Sequence, residues 1–182
     1  KPDVIAYYEK PFRKNLRRLY SGQGWKKNTT NFDVSFGHHE SHAAAGYYTS
    51  PFNECNVLVI DAIGEWDTMS IWKGSVQNGY MGQKTHTLKK LSSWKYPHSL
   101  GLLYSAITQR IGLKPNEDEY ITMGMAAFGD PKYDLENQLW ENNHRGVGNI
   151  YPEARPEDLA SSIQDLYERE LLKLVELCPH KN

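Results

Sequence analysis

The hydrophobic pattern is most regular at the C-terminal end of the chain. From Pro156, apolar residues recur every three or four positions, which predicts an amphipathic helix ending near Cys178. Proline suits the first turn of a helix, and the acidic Glu157 and Asp158 suit the positive end of its dipole. The apolar stripe comprises Leu159, Ile163, Leu166, Tyr167, Leu171, Leu174, Val175 and Cys178. Such a helix needs a sheet or other helices to cover its stripe.

The pattern of apolar and polar residues also predicts alternating strands and helices upstream. Short β-branched or alternating runs predict strands at residues 3–8, 56–61, 66–72 and 84–91, with a hairpin turn at Gly64 and Glu65. Helical spacing and stop signals predict helices at 11–19, 38–50, 97–111 and 116–128. Residues 21–36 and 74–82 are typical of loops, and the polar stretch 132–155 of irregular structure. These elements predict an α/β fold.

The helix predicted at residues 11–19 carries four basic side chains. Its apolar positions are Phe12, Leu16 and Leu19, and its basic ones are Arg13, Lys14, Arg17 and Arg18. The basic run is either a solvated face or a surface that holds phosphates through charge-assisted bonds.

Composition places the chain among ordinary globular proteins. The 182 residues leave room for one domain with a core, and 39% are hydrophobic and 24% charged. A net charge of −1 gives no overall attraction to nucleic acid or to an anionic membrane. No apolar run approaches the roughly 20 residues that span a bilayer. Two distant cysteines and no recognisable secretory signal predict a reduced, cytoplasmic setting.

The strongest chemical signal is a group of histidines at the start of one predicted helix. Three of the seven histidines, at positions 38, 39 and 42, fall within five residues. Residues four apart share a helix face, so His38 and His42 point the same way and His39 points elsewhere. This spacing is typical of two imidazoles that share one cation. The alternative interpretation is a surface helix that carries histidines without a ligand.

Asp61 is the predicted third ligand. It follows the apolar run at residues 56–60, where a sheet is expected to open into a turn and a side chain can face a cleft. Two nitrogens and one carboxylate oxygen suit Fe(II), Zn(II) or Mn(II) better than Ca(II) or Mg(II). The alternative is an aspartate that only caps a turn.

Five motifs that run in the same order through most of the chain resemble a known family. They are residues 8–11 (Tyr-Glu-Lys-Pro), 38–43 (His-His-Glu-Ser-His-Ala), 59–66 (Val-Ile-Asp-Ala-Ile-Gly-Glu-Trp), 97–101 (Pro-His-Ser-Leu-Gly) and 119–126 (Glu-Tyr-Ile-Thr-Met-Gly-Met-Ala). The sequence resembles the N-terminal part of O-carbamoyltransferases that tailor nodulation factors and antibiotics.

The resemblance implies a fold, a metal and a reaction. The expected fold is part of the α/β ATPase fold of actin, Hsp70 and sugar kinases (ribonuclease H-like), a mixed sheet with flanking helices shared with tRNA threonylcarbamoyl transferases. The matching positions His38, His42 and Asp61 would bind a metal, typically iron. Similar enzymes convert carbamoyl phosphate and ATP into carbamoyl-adenylate and pass the carbamoyl group to a hydroxyl acceptor at the metal-containing domain.

Other residues of the matched motifs are candidates to line the cleft. We expect the general base among Glu65 and His98 without assigning it, and nucleotide contacts from Thr68 and Ser99. His98 has an alternative role in a simple structural bond at the start of its helix.

The resemblance also implies that residues 1–182 form a single, incomplete domain segment, interior to such an enzyme. The segment is then expected to pair with the remaining part of the enzyme, with a second chain or with its own copy, because an incomplete lobe exposes a sheet edge or an apolar patch. One alternative function is a non-catalytic metal-binding module or split subunit that works through a partner. Another is a small metal-dependent hydrolase, which lacks an evident base in the sequence.

Overall fold

All the strands that the structure describes lie within residues 6–95, and the later part of the chain is helical. The computed structural model describes residues 2–78 and 83–179. Residues 1–95 and residues 96–182 form two compact units, each described by itself below. The first unit contains β1 (Ala6–Tyr7), α1 (Pro11–Tyr20), β2 (Val34–Ser35), α2 (His38–Tyr48), β3 (Cys55–Gly64), β4 (Asp67–Asn78) and β5 (Lys84–Lys95). The second contains α3 (Leu100–Arg110), α4 (Glu119–Ala126), α5 (Pro156–Glu176) and 3-10 turns at Glu136–Trp140 and Asn143–Arg145.

The main sheet is an antiparallel meander in the order β3-β4-β5. The predicted hairpin is confirmed, because Glu65 and Trp66 connect β3 to β4. The second and third strands are longer than predicted. Residues 74–78, expected in a turn, continue β4 because β5 supplies partners as far as the Asn78–Lys84 pair. The rest of that predicted turn, residues 79–82, lies outside the described residues.

The N-terminal strand is shorter than predicted. The run expected at residues 3–8 is reduced to β1, which pairs in parallel with β2 inside the predicted loop at residues 21–36. Beside this pair, the Asp33 carboxylate accepts a hydrogen bond from the backbone N–H of Ile5 at 2.8 Å. One parallel pair, one antiparallel sheet and flanking helices together confirm the coarse α/β prediction.

Helix α2 lies on the meander through its small residues. Ala43 is fully buried and forms a cluster with Val59 and Trp72. Gly74 of β4 lies under the Tyr47 ring, where an added Cβ would come within 2.4 Å of a ring carbon. The absence of a side chain at Gly74 therefore lets α2 approach the sheet closely, which fixes the helix that carries the histidines.

Helix α1 buries part of its basic run. Its apolar residues Phe12, Leu16 and Leu19 are 64%, 42% and 50% exposed, whereas Arg17 is only 5% exposed. The Arg17 guanidinium donates to the backbone carbonyl of Glu65 at 3.0 Å, so a charge-assisted bond to a buried acceptor attaches this helix. The basic run is therefore not a wholly solvated face, and polar anchors decide the orientation of the helix.

The second unit is a helical core. The buried apolar residues of α3 and α5 include Leu100, Leu103, Ile107, Leu159, Ile163 and Leu166. Helix α4 contacts α3 through a 2.8 Å hydrogen bond between the buried hydroxyls of Thr108 and Thr122. The predicted final helix is confirmed nearly to its bounds, and residues 132–155 are irregular apart from two short 3-10 turns. No helix in the described ranges is long and apolar enough to cross a bilayer.

We expect Ile107→Ala to destabilise the second unit by about 2–5 kcal/mol, because Ile107 is fully buried and its truncation leaves a cavity. The matched control is Ile121→Ala in α4, where the isoleucine is 36% exposed and the loss is smaller. Chemical denaturation followed by circular dichroism measures both. Equal losses in the two variants would contradict the packing described.

Candidate metal centre

The start of α2 is held by two carboxylates. The Glu65 Oε1 atom accepts hydrogen bonds from the backbone N–H of His38 at 3.3 Å and of Lys10 at 2.6 Å. Glu40, three residues after the N-cap Gly37, accepts from the Gly37 backbone N–H at 3.1 Å. These bonds satisfy N–H groups that a helix start leaves without partners and place acidic groups at its positive end. His38 is therefore fixed at the first position of the helix.

The helix then presents His42 on the same face as His38. Their Nε2 atoms are 3.0 Å apart, as the spacing of four residues predicts. His38 is partly buried and His42 is exposed. One ring is therefore held by its surroundings, and the other lies at the solvent side of the site.

Asp61 reaches the two histidines from an irregularity in β3. The strand was expected to end at Asp61, but it continues to Gly64 with a shift of register between Ile60 and Gly64. Such a bulge re-aims side chains within a strand. The Asp61 Oδ2 atom lies 2.9 Å from His38 Nε2, and Oδ1 accepts from the backbone N–H of Ala62 at 2.7 Å. Asp61 thus both caps its own bulge and faces the histidine.

The structure brings the three predicted side chains together. One ligand atom from each of His38, His42 and Asp61 lies within 4.8 Å of the other two. The metal–ligand distances of such sites are about 2.1 Å, so two ligands at right angles would lie about 3.0 Å apart. The separations of 3.0 Å and 2.9 Å around His38 Nε2 fit that value. The donor set therefore suits a single divalent cation with open coordination positions.

Electrostatics couple His38 to Asp61. The hydrogen bond to Asp61 raises the pKa of His38, against the opposing effect of burial. Burial raises the pKa of Asp61, but the hydrogen bond and charge of His38 outweigh it, and the resulting pKa lies below the ordinary value. The pair thus favours a positive charge beside the carboxylate. A cation competes with the His38 proton for that place.

Gly64 makes room for the histidine rings. A Cβ at this position would come within 2.3 Å of His38 Cδ2 and 2.8 Å of His39 Cδ2. Those distances are far below van der Waals contact. The ring positions therefore depend on the absence of a side chain at Gly64.

An open groove adjoins the exposed side of the cluster. It has a volume of about 300 Å³ and is lined by Gly46, His42, Asp61 and residues 57–60 of β3. A ligand in this groove would lie beside His42 and Asp61.

His39 has a structural role. Its Nδ1 atom lies 2.7 Å from the Ser70 hydroxyl, which accepts from the Trp72 indole N–H at 2.8 Å. Because indole only donates, the Ser70 hydroxyl hydrogen is free to donate to His39 Nδ1. Burial lowers the pKa of His39 to about 4, so the ring is neutral at neutral pH. The prediction that His39 points away from the other two histidines agrees with this position.

The remaining predicted cleft residues of the first unit are engaged in the fold. Glu65 is 7% exposed and its Oε1 binds the two backbone donors described above. Thr68 is fully buried, and its hydroxyl donates to the Trp94 carbonyl at 3.3 Å. The structure thus gives Glu65 a positioning role at two helix starts and Thr68 a place inside the sheet.

His98 and Ser99 belong to the second unit. Ser99 is fully buried, and its hydroxyl accepts from the Leu102 backbone N–H at 3.1 Å as the N-cap of α3. The His98 ring stacks on Trp140 with centroids 4.3 Å apart, and burial lowers its pKa. Ser99 is thus a helix cap, and the stacked His98 ring has the structural contact that the sequence left open.

The sequence did not single out Glu9 by itself. It follows the strand predicted at residues 3–8, and its side chain is 4% exposed and lies 3.7 Å from His38 Nδ1. The available signal was its place in the Tyr-Glu-Lys-Pro motif. Nothing in hydrophobic periodicity places a charged turn residue beside a helix almost thirty positions away.

Comparison with known proteins identifies the family. The family model described as the carbamoyltransferase N-terminus matches residues 6–151, which include all three clustered side chains. This match covers well over half of the chain. The chain therefore belongs to the carbamoyltransferase family.

Individual relatives agree with this family. An uncharacterized protein of Synechocystis sp. is 46% identical over 96 residues, which cover 53% of this chain and 14% of that protein. Nodulation protein NolNO of Sinorhizobium fredii is 32% identical over 134 residues, or 72% of this chain and 18% of that protein. Nodulation protein NolO of Bradyrhizobium diazoefficiens is 32% identical over 96 residues, or 52% of this chain and 15% of that protein. The matched part of the chain spans less than a fifth of the length of these relatives.

We expect Gly64→Ala to weaken zinc binding by about 10- to 100-fold, the range typical when the support of a ligand is lost, because the added methyl group displaces the His38 ring. The control is Gly46→Ala in α2, where a Cβ would meet only Val57 at 3.4 Å. Competition with a chromophoric chelator measures both affinities. Unchanged zinc affinity in Gly64→Ala would show that the rings do not occupy the positions described.

We expect the free energy of unfolding to fall as pH decreases from about 6.5 to about 4 in chelator-containing buffer. The pKa of His39 is about 4 in the folded chain, whereas an unperturbed histidine has a pKa of about 6.5, so the unfolded state binds more protons in this interval. The contribution of the neutral His39 ring to the free energy of unfolding is therefore fully present above about pH 6.5 and is lost progressively as the pH falls toward about 4. Urea titrations at several pH values should give a smaller slope for His39→Gln, and an identical slope would refute this assignment.

Proposed function

We propose that this chain is the metal-holding segment of an ATP-dependent O-carbamoyltransferase. The observation that carries the proposal is the convergence of His38, His42 and Asp61 in a chain of the carbamoyltransferase family. The proposed reaction transfers a carbamoyl group from carbamoyl-adenylate, made from carbamoyl phosphate and ATP, to a hydroxyl acceptor. The carbonyl carbon forms a bond to the acceptor oxygen, its bond to the phosphate oxygen breaks, and AMP leaves.

The residues of the cluster have distinct proposed roles. Asp61 supplies negative charge, the partly buried His38 ring supplies a held nitrogen, and the exposed His42 completes the set at the groove. Two histidines and one carboxylate that leave positions open are typical of Fe(II) sites, and Zn(II) or Mn(II) are the alternatives. Such a cation would act as a Lewis acid on a carbonyl or phosphoryl oxygen and would require no redox step.

Glu65 and His98 stay the two candidates for the proton acceptor. Glu65 has its Oε1 engaged by two backbone N–H groups. The His98 ring of the second unit stacks on Trp140, and burial lowers its pKa. Thr68 and Ser99, the residues predicted to contact the nucleotide, are both fully buried in structural bonds.

The larger fold and the acceptor class are part of the same proposal. We place the described units within an actin-, Hsp70- and sugar-kinase-like ATPase fold, in which other parts of the enzyme bind ATP and carbamoyl phosphate. The acceptor we propose is a hydroxyl-bearing small molecule, as the resemblance to carbamoyltransferases that tailor nodulation factors implies, and two relatives are named as nodulation proteins. The setting proposed for this reaction is the cytoplasm.

A non-catalytic metal-binding module is the second candidate. It is favoured by the engagement of Glu65, Thr68 and Ser99, three of the residues predicted to line the cleft, in hydrogen bonds within the fold. In that case the chain binds the cation and a partner chain or a second copy supplies the reaction. Both functions need the same metal, so formation of the carbamoylated product distinguishes the carbamoyltransferase from the non-catalytic module.

We expect His42→Ala to lower zinc or iron(II) affinity by more than the roughly 10- to 100-fold cost of losing an outer-shell partner, because His42 is a direct ligand. Since His42 is exposed, the fold should be unaffected. The control is His86→Ala, whose ring contacts Tyr47 outside the cluster. Isothermal titration of the chain measures both affinities.

The reaction is tested in a full-length carbamoyltransferase that carries this segment, supplied with carbamoyl phosphate, ATP and a hydroxyl acceptor. Chromatography follows AMP release and the carbamoylated product. We expect His42→Ala to lose product formation and His86→Ala to retain it. Metal binding without any product in the parent enzyme would favour the non-catalytic module, and full product formation by His42→Ala would overturn the proposed site.

A further inference from the structure

The His38 ring has one nitrogen whose partner the cluster does not explain. Nε2 faces Asp61 and His42, while Nδ1 is buried and has no hydrogen-bond partner in the part of the chain that the structure describes. A neutral imidazole that binds a cation through Nε2 carries its hydrogen on Nδ1. A buried N–H without an acceptor is unfavourable, because it has lost its hydrogen bonds to water and gained none in return. An acceptor beside Nδ1 would therefore favour the binding form of the ring.

Glu9 is the carboxylate beside that nitrogen. Its Oε2 atom lies 3.7 Å from His38 Nδ1, longer than a hydrogen bond but within the range of an ion pair. Its side chain is 4% exposed, and both oxygens lie 2.8 Å from Lys14 Nζ. Oε1 also accepts from the Tyr7 hydroxyl at 3.2 Å. The carboxylate is thus held in place and balanced in charge, with Oε2 turned toward the ring.

The backbone keeps Glu9 and His38 adjacent. Glu65 Oε1 accepts from the N–H of Lys10, which follows Glu9, and from the N–H of His38 itself. A single buried oxygen therefore joins the two segments at the residues in question. The proximity of Glu9 to His38 does not depend on a flexible side-chain contact alone.

We propose that Glu9 is a positioning residue of the metal centre, whose carboxylate accepts the Nδ1 hydrogen of His38 and so directs the Nε2 lone pair at the cation. This inference rests on the proposed metal-holding function. Carboxylate partners of ligating histidines fix ring orientation and increase ligand basicity. The competing explanation is that Glu9 only balances the charge of Lys14, in which case it stabilises the fold without affecting His38.

The first test compares zinc affinities in the intact chain by chelator competition. We expect Glu9→Ala to bind zinc about 10- to 100-fold more weakly. Glu9→Gln keeps an amide oxygen that can accept the Nδ1 hydrogen, so it should recover part of the loss. Tyr7→Phe removes the hydroxyl bonded to the other carboxylate oxygen, Oε1, and should bind like the parent chain.

The second test observes the Nδ1 hydrogen directly. In zinc-loaded chain labelled with ¹⁵N-histidine, we expect an Nδ1–H signal of His38 that exchanges slowly with solvent. The signal should exchange faster in Glu9→Gln than in the parent, stay unchanged in Tyr7→Phe, and be lost to fast exchange in Glu9→Ala. A residue that only stabilises the fold would lower the unfolding temperature without changing this signal.

The outcomes separate the inference from the function on which it rests. No zinc binding by the parent chain would refute the proposed function. Zinc binding with the same affinity and Nδ1–H signal in parent and Glu9→Ala would overturn the role of Glu9 and leave the metal centre standing. If circular dichroism shows Glu9→Ala unfolded, Glu9→Gln decides. Slower Nδ1–H exchange in the parent than in Glu9→Gln supports the role of the carboxylate, and equal exchange with equal zinc affinity overturns it.

Discussion

A single buried carboxylate oxygen determines the arrangement of the first unit. Glu65 lies in the hairpin turn between β3 and β4 with φ 47°, a conformation uncommon for residues other than glycine. From there its side chain binds the starts of α1 and α2, and its carbonyl accepts from Arg17. The turn of one sheet thereby sets the positions of two helices. Glu65, one of the two candidates for the proton acceptor, therefore also has a structural role, because it links the hairpin turn to both helices.

The centre also depends on positions where side-chain atoms are absent. Ala43 permits α2 to approach the sheet, Gly74 accommodates the Tyr47 ring, and Gly64 accommodates His38 and His39. Dense packing of this kind leaves little freedom to the rings. The geometry of the three clustered side chains is therefore a property of the helix–sheet interface as much as of the ligands themselves.

Local periodicity was enough to predict the hairpin, the final helix and the shared face of His38 and His42, because those features depend on residues close in sequence. It also placed Asp61 at the right strand, although the bulge that aims Asp61 depends on cross-strand register. The orientation of α1 and the position of Glu9 could not be predicted. Both are decided by long-range polar bonds to the Glu65 turn and to α2, which hydrophobic spacing does not encode.

The orientation of α1 has a consequence for its response to ionic strength. Its inward contacts are charged, through Lys14 and Arg17, and its outward face is apolar, with Phe12 the most exposed of its stripe. Added salt screens the charged contacts of α1 where they are exposed to solvent. Strongly hydrated anions such as sulfate also promote burial of its exposed apolar face. A high concentration of such a salt therefore weakens the attachment of α1 to the rest of the unit and, at the same time, favours association of its apolar face with other apolar surfaces.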